Sequence, residues 1–242
     1  MTHCWVCNLG LIPYKEAQEL QRRLITLRQE GGIDDILLLL EHPPTVTLGR
    51  FASSENILVT PEELKRRGIA LYLSDRAGEA TFHCPGQIVV YPIMDIRHRV
   101  GRLREYLHCL EEVALQTLAH FDISAGRWSG HPGIWKDGEQ IAAVGLLVSR
   151  GITMHGLSLN VNPDLYDFEV INLCGLPNKK ATSMSRALGY ELDIDDVFQC
   201  TEDIFSSIFG VELETISLEQ VIGDSYGAKS AGVVQAEGTA NR

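Results

Sequence analysis

Three short segments combine small residues with side chains that could bind or react. The first, Arg76 to Gln87, carries basic and hydroxyl side chains among glycines and alanines. The second runs from Gln140 to Asn160 and contains His155, and the third, Asn172 to Pro177, contains Cys174 followed by a glycine. Small residues let a ligand approach the backbone closely. A cysteine beside glycine in a loop can approach a bound thioester.

Each segment also has an ordinary structural interpretation. The first could be an irregular turn, the histidine of the second could be structural, and the cysteine of the third could be an inert thiol. A free thiol with a pKa near 8.5 is only a few per cent ionised at pH 7. A nucleophilic Cys174 would therefore need a neighbouring group that stabilises its thiolate.

Hydrophobic periodicity predicts the elements that would position these segments. Strands are predicted over residues 4–10, 36–41, 45–48, 69–74, 87–93, 133–135, 140–149 and 152–161. Helices are predicted over residues 14–30, 61–67, 103–120 and 195–209. Residues 76–86 are predicted to be a loop. Strands and helices mix without strict alternation, which favours a single α+β domain over residues 1–222. The polar, small-residue composition from residue 223 to 242 predicts a flexible tail.

Composition excludes several classes of protein. The chain has 242 residues, 45% of them hydrophobic, which excludes a wholly disordered chain. The formal net charge of −11 disfavours general nucleic-acid binding, which needs clustered positive charge. No apolar run approaches the roughly 18 residues of a membrane helix, and the first residues lack the pattern of a signal peptide. A cytoplasmic location is expected.

The six cysteines are too sparse for a disulfide scaffold. Cys4 and Cys7 have the spacing of a metal or redox pair, but no second pair accompanies them and they lie in a predicted strand. This setting favours ordinary buried thiols.

Taken together and in order, the segments resemble the lipoyl(octanoyl) transferase family. The resemblance extends from about Leu37 to Leu188, and the ordered set is specific although each piece alone is weak. The matching stretches are Glu41–Arg50, Arg76–Gln87, Ala142–Asn160, Cys174-Gly175 and Thr182–Met184.

The resemblance implies the fold of the biotin/lipoyl protein ligases, a mixed sheet flanked by helices. It implies transfer of an octanoyl group from acyl carrier protein to a lysine of a lipoyl domain. The implied acceptors are the lipoyl domains of 2-oxo acid dehydrogenases and the glycine-cleavage H protein. Cys174 matches the family nucleophile, which forms a thioester, and no metal or other cofactor is implied. The matching substrate-binding residues are Arg76, Ala77, Gly78, Glu79, Ala80, Thr81, Phe82, His83, Ala143, Val144, Gly145, Gly156, Leu157 and Ser158. We expect His83 to shape or polarise the acyl site and His155 to orient the reacting groups.

The chain departs from the family at Gln140, where the family places a lysine that promotes thiolate formation and acts as general acid and base. An amide can donate a hydrogen bond but carries no charge. Another cation could substitute, the candidates being Lys136, Lys179, Lys180, His155 and His83. Alternatively, the protein is a slower transferase or moves octanoyl groups between lipoyl domains as an amidotransferase. A third possibility is a binding protein with weak catalysis.

A basic patch stands out on this acidic chain. It contains Arg97, Arg99, Arg102 and Arg104 just before and at the start of a predicted helix. Such a patch could steer an acidic acyl carrier protein to the enzyme. It could equally be a solvated helix start.

Overall fold

A computed structural model of the protein describes residues 2–98, 101–221 and 223. Within them lie the strands β1 (Thr2–Leu11), β2 (Asp35–Glu41), β3 (Thr45–Leu48), β4 (Ala70–Leu73), β5 (Ala80–His83), β6 (Gln87–Ile93), β7 (Gly126–Trp128), β8 (His131–Lys136), β9 (Glu139–Ser149), β10 (Ile152–Asn160) and β11 (Val211–Thr215). The α-helices are α1 (Tyr14–Gln29), α2 (Pro61–Arg66), α3 (Leu103–His120), α4 (Met184–Leu188) and α5 (Ile194–Phe209).

The strands form one large mixed sheet and one small sheet. The large sheet has the order β11-β1-β2-β6-β10-β9-β8-β7, and the small sheet has the order β4-β3-β5. In the large sheet β11, β1 and β2 are parallel, whereas β6, β10, β9, β8 and β7 pair antiparallel from β2 onward. This arrangement is the expected mixed sheet.

Helices cover both faces of the large sheet, and β2 shows why. Its side chains alternate between faces, as in any strand. Leu37 and Leu39 pack in the core beneath α3 and α5, whereas Ile36, Leu38 and Leu40 pack in the core beneath α1. All five are fully buried. A continuous apolar run is typical of a strand buried on both faces.

The small sheet has an apolar core of its own, built with α2 and residues 165–173. Val46 of β3 and Phe82 of β5 pack there against Phe168 and Leu173. The residues before and after Leu173 are thereby fixed against β5. This packing brings the turn that contains Cys174 next to the first of the three segments.

Most elements predicted from periodicity are present with boundaries within a few residues. The helix over 103–120 and the strand over 87–93 coincide with α3 and β6. Thr60 caps α2, because its hydroxyl oxygen accepts a hydrogen bond from the Glu63 backbone N–H at 3.3 Å. The prediction of a loop throughout 76–86 is wrong, since β5 forms there on the edge of the small sheet.

Besides β5, three further short elements were not predicted: β7, β11 and α4. Each has only three to five residues, too few for a periodic pattern to emerge. Of the predicted tail over 223–242, all but residue 223 lies outside the described residues, and the single domain over 1–222 stays a prediction. None of the described helices is long and apolar enough to cross a membrane.

Cys4 and Cys7 lie on opposite faces of the large sheet. Cys4 packs in the core beneath α3 and α5, and Cys7 packs in the core beneath α1. Residues three apart in a strand point to opposite faces. The two sulfurs are therefore not placed to share a ligand.

Candidate active site

A cavity of about 220 Å³ lies between β9 and β10 of the large sheet, the 76–83 segment and the Cys174 turn. Most of the predicted site residues line it. They are Arg76, Gly78, Glu79, Ala80, Thr81, His83, Ala143, Val144, Gly145, His155, Gly156, Leu157, Ser158 and Cys174. The structure thus brings all three sequence segments to one place.

Three predicted site residues do not line the cavity. Phe82 points into the core of the small sheet, with its ring centroid 5.0 Å from that of Phe168. Ala77 holds the loop against β9, because its backbone N–H donates to the Leu146 carbonyl at 2.8 Å. Gln140 lies behind Cys174 and contacts its sulfur.

Five residues that the sequence analysis did not select also line the cavity: Tyr14, Tyr91, Gly130, His131 and Pro132. The sequence contained information that could have identified the two tyrosines. Tyr91 lies in an apolar strand and Tyr14 begins an amphipathic helix, and a buried tyrosine hydroxyl needs a hydrogen-bond partner. Gly130 ends the turn before β8, and His131 and Pro132 begin that strand; only long-range packing places these three residues at the cavity mouth.

Cys174 lies in a tight turn. Its backbone φ is +53°, a left-handed conformation that non-glycine residues adopt rarely. The next residue, Gly175, also has a positive φ, and its N–H donates to the Asn172 carbonyl at 3.1 Å. A Cβ at Gly175 would lie 3.0 Å from the Cγ atom of Glu79. The turn therefore packs closely against the 76–83 segment.

Gln140 donates a hydrogen bond to the Cys174 sulfur, with 3.1 Å between Nε2 and Sγ. Its side chain is buried, and its backbone is held on both sides. Its N–H donates to the Lys180 carbonyl at 2.9 Å, and its carbonyl accepts from the Thr182 N–H at 2.9 Å. The amide is thus fixed in place as a neutral donor to the thiol.

Burial raises the pKa of the Cys174 thiol above its ordinary value. The Gln140 hydrogen bond and the positive charge of Arg76 oppose that rise, whereas the negative charge of Glu79 adds to it. Deprotonation of this sulfur therefore depends on the charges and donors around the cavity.

The lysines considered as substitutes for the family lysine do not line the cavity. Lys136 pairs with Asp137 at 2.9 Å in the hairpin turn. Lys179 lies over the Trp128 ring, with its Nζ atom 4.5 Å from the ring centroid. Lys180 is exposed and lines a separate surface groove with Lys179.

The candidate histidines do line the cavity, but each already has a hydrogen-bond partner. His83 Nδ1 lies 2.7 Å from Gln87 Oε1, and His155 Nε2 lies 2.8 Å from Asp75 Oδ1. Burial lowers the pKa of both histidines. Burial thus favours the uncharged form of both rings, and at His155 the Asp75 carboxylate opposes this effect.

The tyrosines beside them are paired as well. The Tyr14 hydroxyl lies 2.7 Å from Ser74 Oγ, and the Tyr91 hydroxyl lies 3.0 Å from His42 Nε2. Burial raises the pKa of both phenols, so they stay uncharged at neutral pH.

The predicted basic patch is divided in the structure. Arg97 is exposed but pairs with Asp95 at 2.6 Å, and Arg99 lies outside the described residues. Arg102 and Arg104 are exposed at the start of α3. Arg104 lines a groove that shares residues 130–132 with the cavity mouth. Among the three described members of the patch, Arg104 is thus the one that lines a groove adjoining the site.

No group of three potential metal ligands occurs among the described residues. His83 Nδ1 and His155 Nε2, which face the cavity region, each hydrogen-bond to a protein side chain, whereas the buried Nδ1 atom of His155 has no hydrogen-bond partner in the described part of the chain.

Comparisons with known proteins agree with this geometry. Residues 13–206 match the lipoyl protein ligase A/B catalytic domain family. An octanoyltransferase of Desulforamulus reducens is 41% identical over 223 residues, which cover 90% of this chain and 98% of that protein.

Solved structures support the fold. The crystal structure of lipoate-protein ligase A bound with ATP superposes with a TM-score of 0.74 at 16% identity, covering 95% of each chain. A biotin protein ligase of Aquifex aeolicus gives a TM-score of 0.50 at 12% identity, covering 87% of this chain and 70% of that one. The expected biotin/lipoyl protein ligase fold is thereby confirmed. From the family match and the octanoyltransferase relative, the chain is an acyltransferase and belongs to the octanoyltransferases of the lipoyl protein ligase A/B family.

Proposed function

We propose that this protein transfers an octanoyl group from octanoyl-acyl carrier protein to the acceptor lysine of lipoyl domains, through a thioester on Cys174. The observation that carries the proposal is the position of the Cys174 sulfur. It lies at a cavity with an apolar wall of Ala143, Val144 and Leu157, and it accepts a hydrogen bond from Gln140.

The first step is attack by the Cys174 thiolate on the carbonyl carbon of the donor thioester. A new carbon–sulfur bond forms to Cys174, and the bond to the phosphopantetheine sulfur breaks. That sulfur leaves as a thiolate and takes a proton. Backbone N–H groups of the small-residue segments are suitable donors to the oxyanion.

In the second step a neutral lysine amine of the lipoyl domain attacks the enzyme thioester. The amide bond forms, Cys174 leaves as thiolate, and the amine releases its proton to solvent or to a base. Amide formation from a thioester is downhill, so the reaction needs no ATP. Because burial raises the thiol pKa, we expect the rate of the first step to rise with pH through the neutral range.

The acceptors in this proposal are lipoyl domains of 2-oxo acid dehydrogenases and the glycine-cleavage H protein. Both they and the carrier protein must present a flexible arm or lysine to the cavity mouth. Residues 130–132 and the nearby Arg104 form one side of that mouth.

The test is to incubate the protein with octanoyl carrier protein and to measure its intact mass. We expect a single octanoyl adduct that maps to Cys174 and that disappears when a lipoyl domain is added, with octanoyl appearing on the lipoyl lysine. The matched control is Cys109→Ser, which removes a different partly exposed thiol and should leave the adduct unchanged.

Two results would contradict the proposal. An adduct that forms only from an octanoylated lipoyl domain would identify an amidotransferase instead. Binding of either partner without any adduct would identify a binding protein with weak catalysis.

A further inference from the structure

Arg76 is a buried cation without a carboxylate partner. Its side chain is 7% exposed and lines the same cavity as Cys174. Nη2 donates to the Thr47 carbonyl at 2.8 Å and to the Glu79 carbonyl at 2.7 Å, and Nη1 donates to the Ala77 carbonyl at 3.2 Å. These acceptors are neutral, and among the described residues no ion pair involves Arg76.

This arrangement is unusual, because buried charges in proteins are generally paired. Neutral carbonyls stabilise a guanidinium through hydrogen bonds but leave its net charge uncompensated. A negative charge that appears in the cavity would therefore be stabilised by Arg76. Neither of the cavity's two buried tyrosines is anionic at neutral pH.

Cys174 is the group in the cavity whose charge changes in the proposed reaction, and Glu79 links it to Arg76. The backbone carbonyl of Glu79 accepts from Arg76, while its Cγ atom supports the Cys174-Gly175 turn. The Glu79 carboxylate does not accept from Arg76. It accepts from Asn56 Nδ2 at 3.0 Å.

Space for the guanidinium is built into β9. A Cβ at Gly145 would lie 3.1 Å from Cδ of Arg76. An alanine there would therefore force the arginine side chain to shift by a few tenths of an ångström. The guanidinium is thus held in one position by its acceptors and by a glycine opposite.

We propose that Arg76 is the fixed positive charge that stabilises the Cys174 thiolate, while Gln140 orients the sulfur with a neutral hydrogen bond. The assignment deepens the proposed function and rests on it for the role in transfer. Arg76 is a positioning residue in this scheme, because it acts on Cys174 and not on the substrate.

The other groups that face the thiol differ in charge. Glu79 is the opposing negative charge. Burial lowers the pKa values of His83 and His155 and so favours their neutral forms, while the Asp75 carboxylate raises the pKa of His155. His131 lies at the cavity mouth with its ring centroid 4.4 Å from that of Trp128. Arg76 is the one permanently charged cation among the cavity-lining residues that the structure describes.

The test measures alkylation of Cys174 by iodoacetamide as a function of pH, with intact mass as the readout. We expect Arg76→Gln to slow alkylation near neutral pH by about tenfold, equal to about one unit in the thiol pKa. The rate at pH values above the thiol pKa should be unchanged, which separates ionisation from access. Glu79→Gln should shift the profile in the opposite direction.

Arg22→Gln is the matched control, since Arg22 is more than half exposed and pairs with Asp75. It should leave the profile unchanged. Adding Gln140→Lys to Arg76→Gln should restore the alkylation rate near neutral pH, because it supplies a new cation at the sulfur. A folded Arg76→Gln protein with the wild-type profile would overturn the proposal.

If Arg76→Gln does not fold, Gly145→Ala carries the test. Its methyl group would press on Arg76 without removing a hydrogen bond, and it should slow alkylation near neutral pH only; an unchanged profile would overturn the proposal. The measurement needs no acyl donor. If the variants show the expected alkylation profiles but the protein does not transfer octanoyl groups, the proposed function is refuted and the role of Arg76 stands. If the protein transfers octanoyl groups but the variants have the wild-type alkylation profile, the role of Arg76 is refuted and the proposed function stands.

Discussion

The two ends of the cavity use similar residue types in opposite ways. At the thiol end, defined by Arg76, Gln140 and Cys174, the thiol has one neutral donor and the guanidinium has no anion. At the histidine end, defined by Tyr14, His83, Tyr91 and His155, each side chain hydrogen-bonds to a protein partner.

The difference separates reactive groups from supporting ones. A polar group whose partners are all internal is held in one protonation state and one orientation, so it defines the shape of the cavity. A thiol with a single neutral donor keeps its lone pairs for a substrate. The comparison therefore supports the proposal that the reaction takes place at the thiol end, while the histidine end shapes the cavity.

The largest expected effect comes from replacing the proposed nucleophile, Cys174. Cys174→Ser should reduce octanoyl transfer by about a thousandfold or more, because the hydroxyl is far harder to ionise than the thiol and no described residue is placed as its base. The measurement is the transfer rate from octanoyl carrier protein to a lipoyl domain. Substantial residual transfer by Cys174→Ser would show that the reactive group lies elsewhere, while Cys109→Ser should match the wild type.

The histidine end should make the free energy of unfolding depend on pH. Burial lowers the pKa of His42, which contacts Tyr91, to about 4. The unfolded state then binds protons more readily than the folded state, so the full stability is present above about pH 6.5 and falls as the pH drops toward 4. His42 alone should account for about 3 kcal/mol of that loss.

Urea denaturation at several pH values measures this effect. His42→Gln has no titrating ring and should lose less stability between neutral pH and pH 4 than the wild type. His83 shifts in the same direction, so some pH dependence should remain. Identical pH dependence in the two proteins would show that His42 is not held neutral by burial.

Gly156 in β10 tests the effect of packing on stability separately from the effect of charge. A Cβ at Gly156 would collide with the Val90 backbone carbonyl and lie 2.8 Å from Cδ of Pro92. Gly156→Ala should therefore cost about 2 kcal/mol in the free energy of unfolding. The control is Gly126→Ala, where the added methyl meets nothing within 4 Å and should be nearly neutral.

In the Gly156→Ala protein, the pH profile of Cys174 alkylation should keep its midpoint. A large shift would mean that the two ends of the cavity are coupled electrostatically and not separate. Thermal or urea denaturation gives the stability, and alkylation gives the thiol pKa.

The smallest effect concerns the cavity mouth. Arg104 lies in the groove that continues into the cavity, whereas Arg97 is paired with Asp95 near the β9–β10 turn. Arg104→Glu should raise the KM for octanoyl carrier protein by about threefold at low salt, with less effect at high salt. Arg97→Glu is the matched control, and an equal change in KM for both variants would show that the groove does not guide the carrier.

Local sequence patterns determined much of the fold. The apolar run of β2 and the spacing of α3 are short-range signals, and each predicted its element closely. The order of the motifs around Arg76, Gly145 and Cys174 resembled that of a known family, and the resemblance implied the ligase fold. The predicted strands and helices, by contrast, follow from backbone periodicity and from residue types within a few positions of one another.

Tertiary structure alone decided which side chains meet. The contact between Gln140 and Cys174 joins residues 34 positions apart. Phe82 turned away from the cavity because the small sheet has its own core, and Lys179 lies on Trp128 instead of beside the thiol. Sequence spacing does not encode these distances, because they depend on how two sheets and several loops pack against each other. The unpaired charge of Arg76 is visible only once every neighbouring acceptor has been placed.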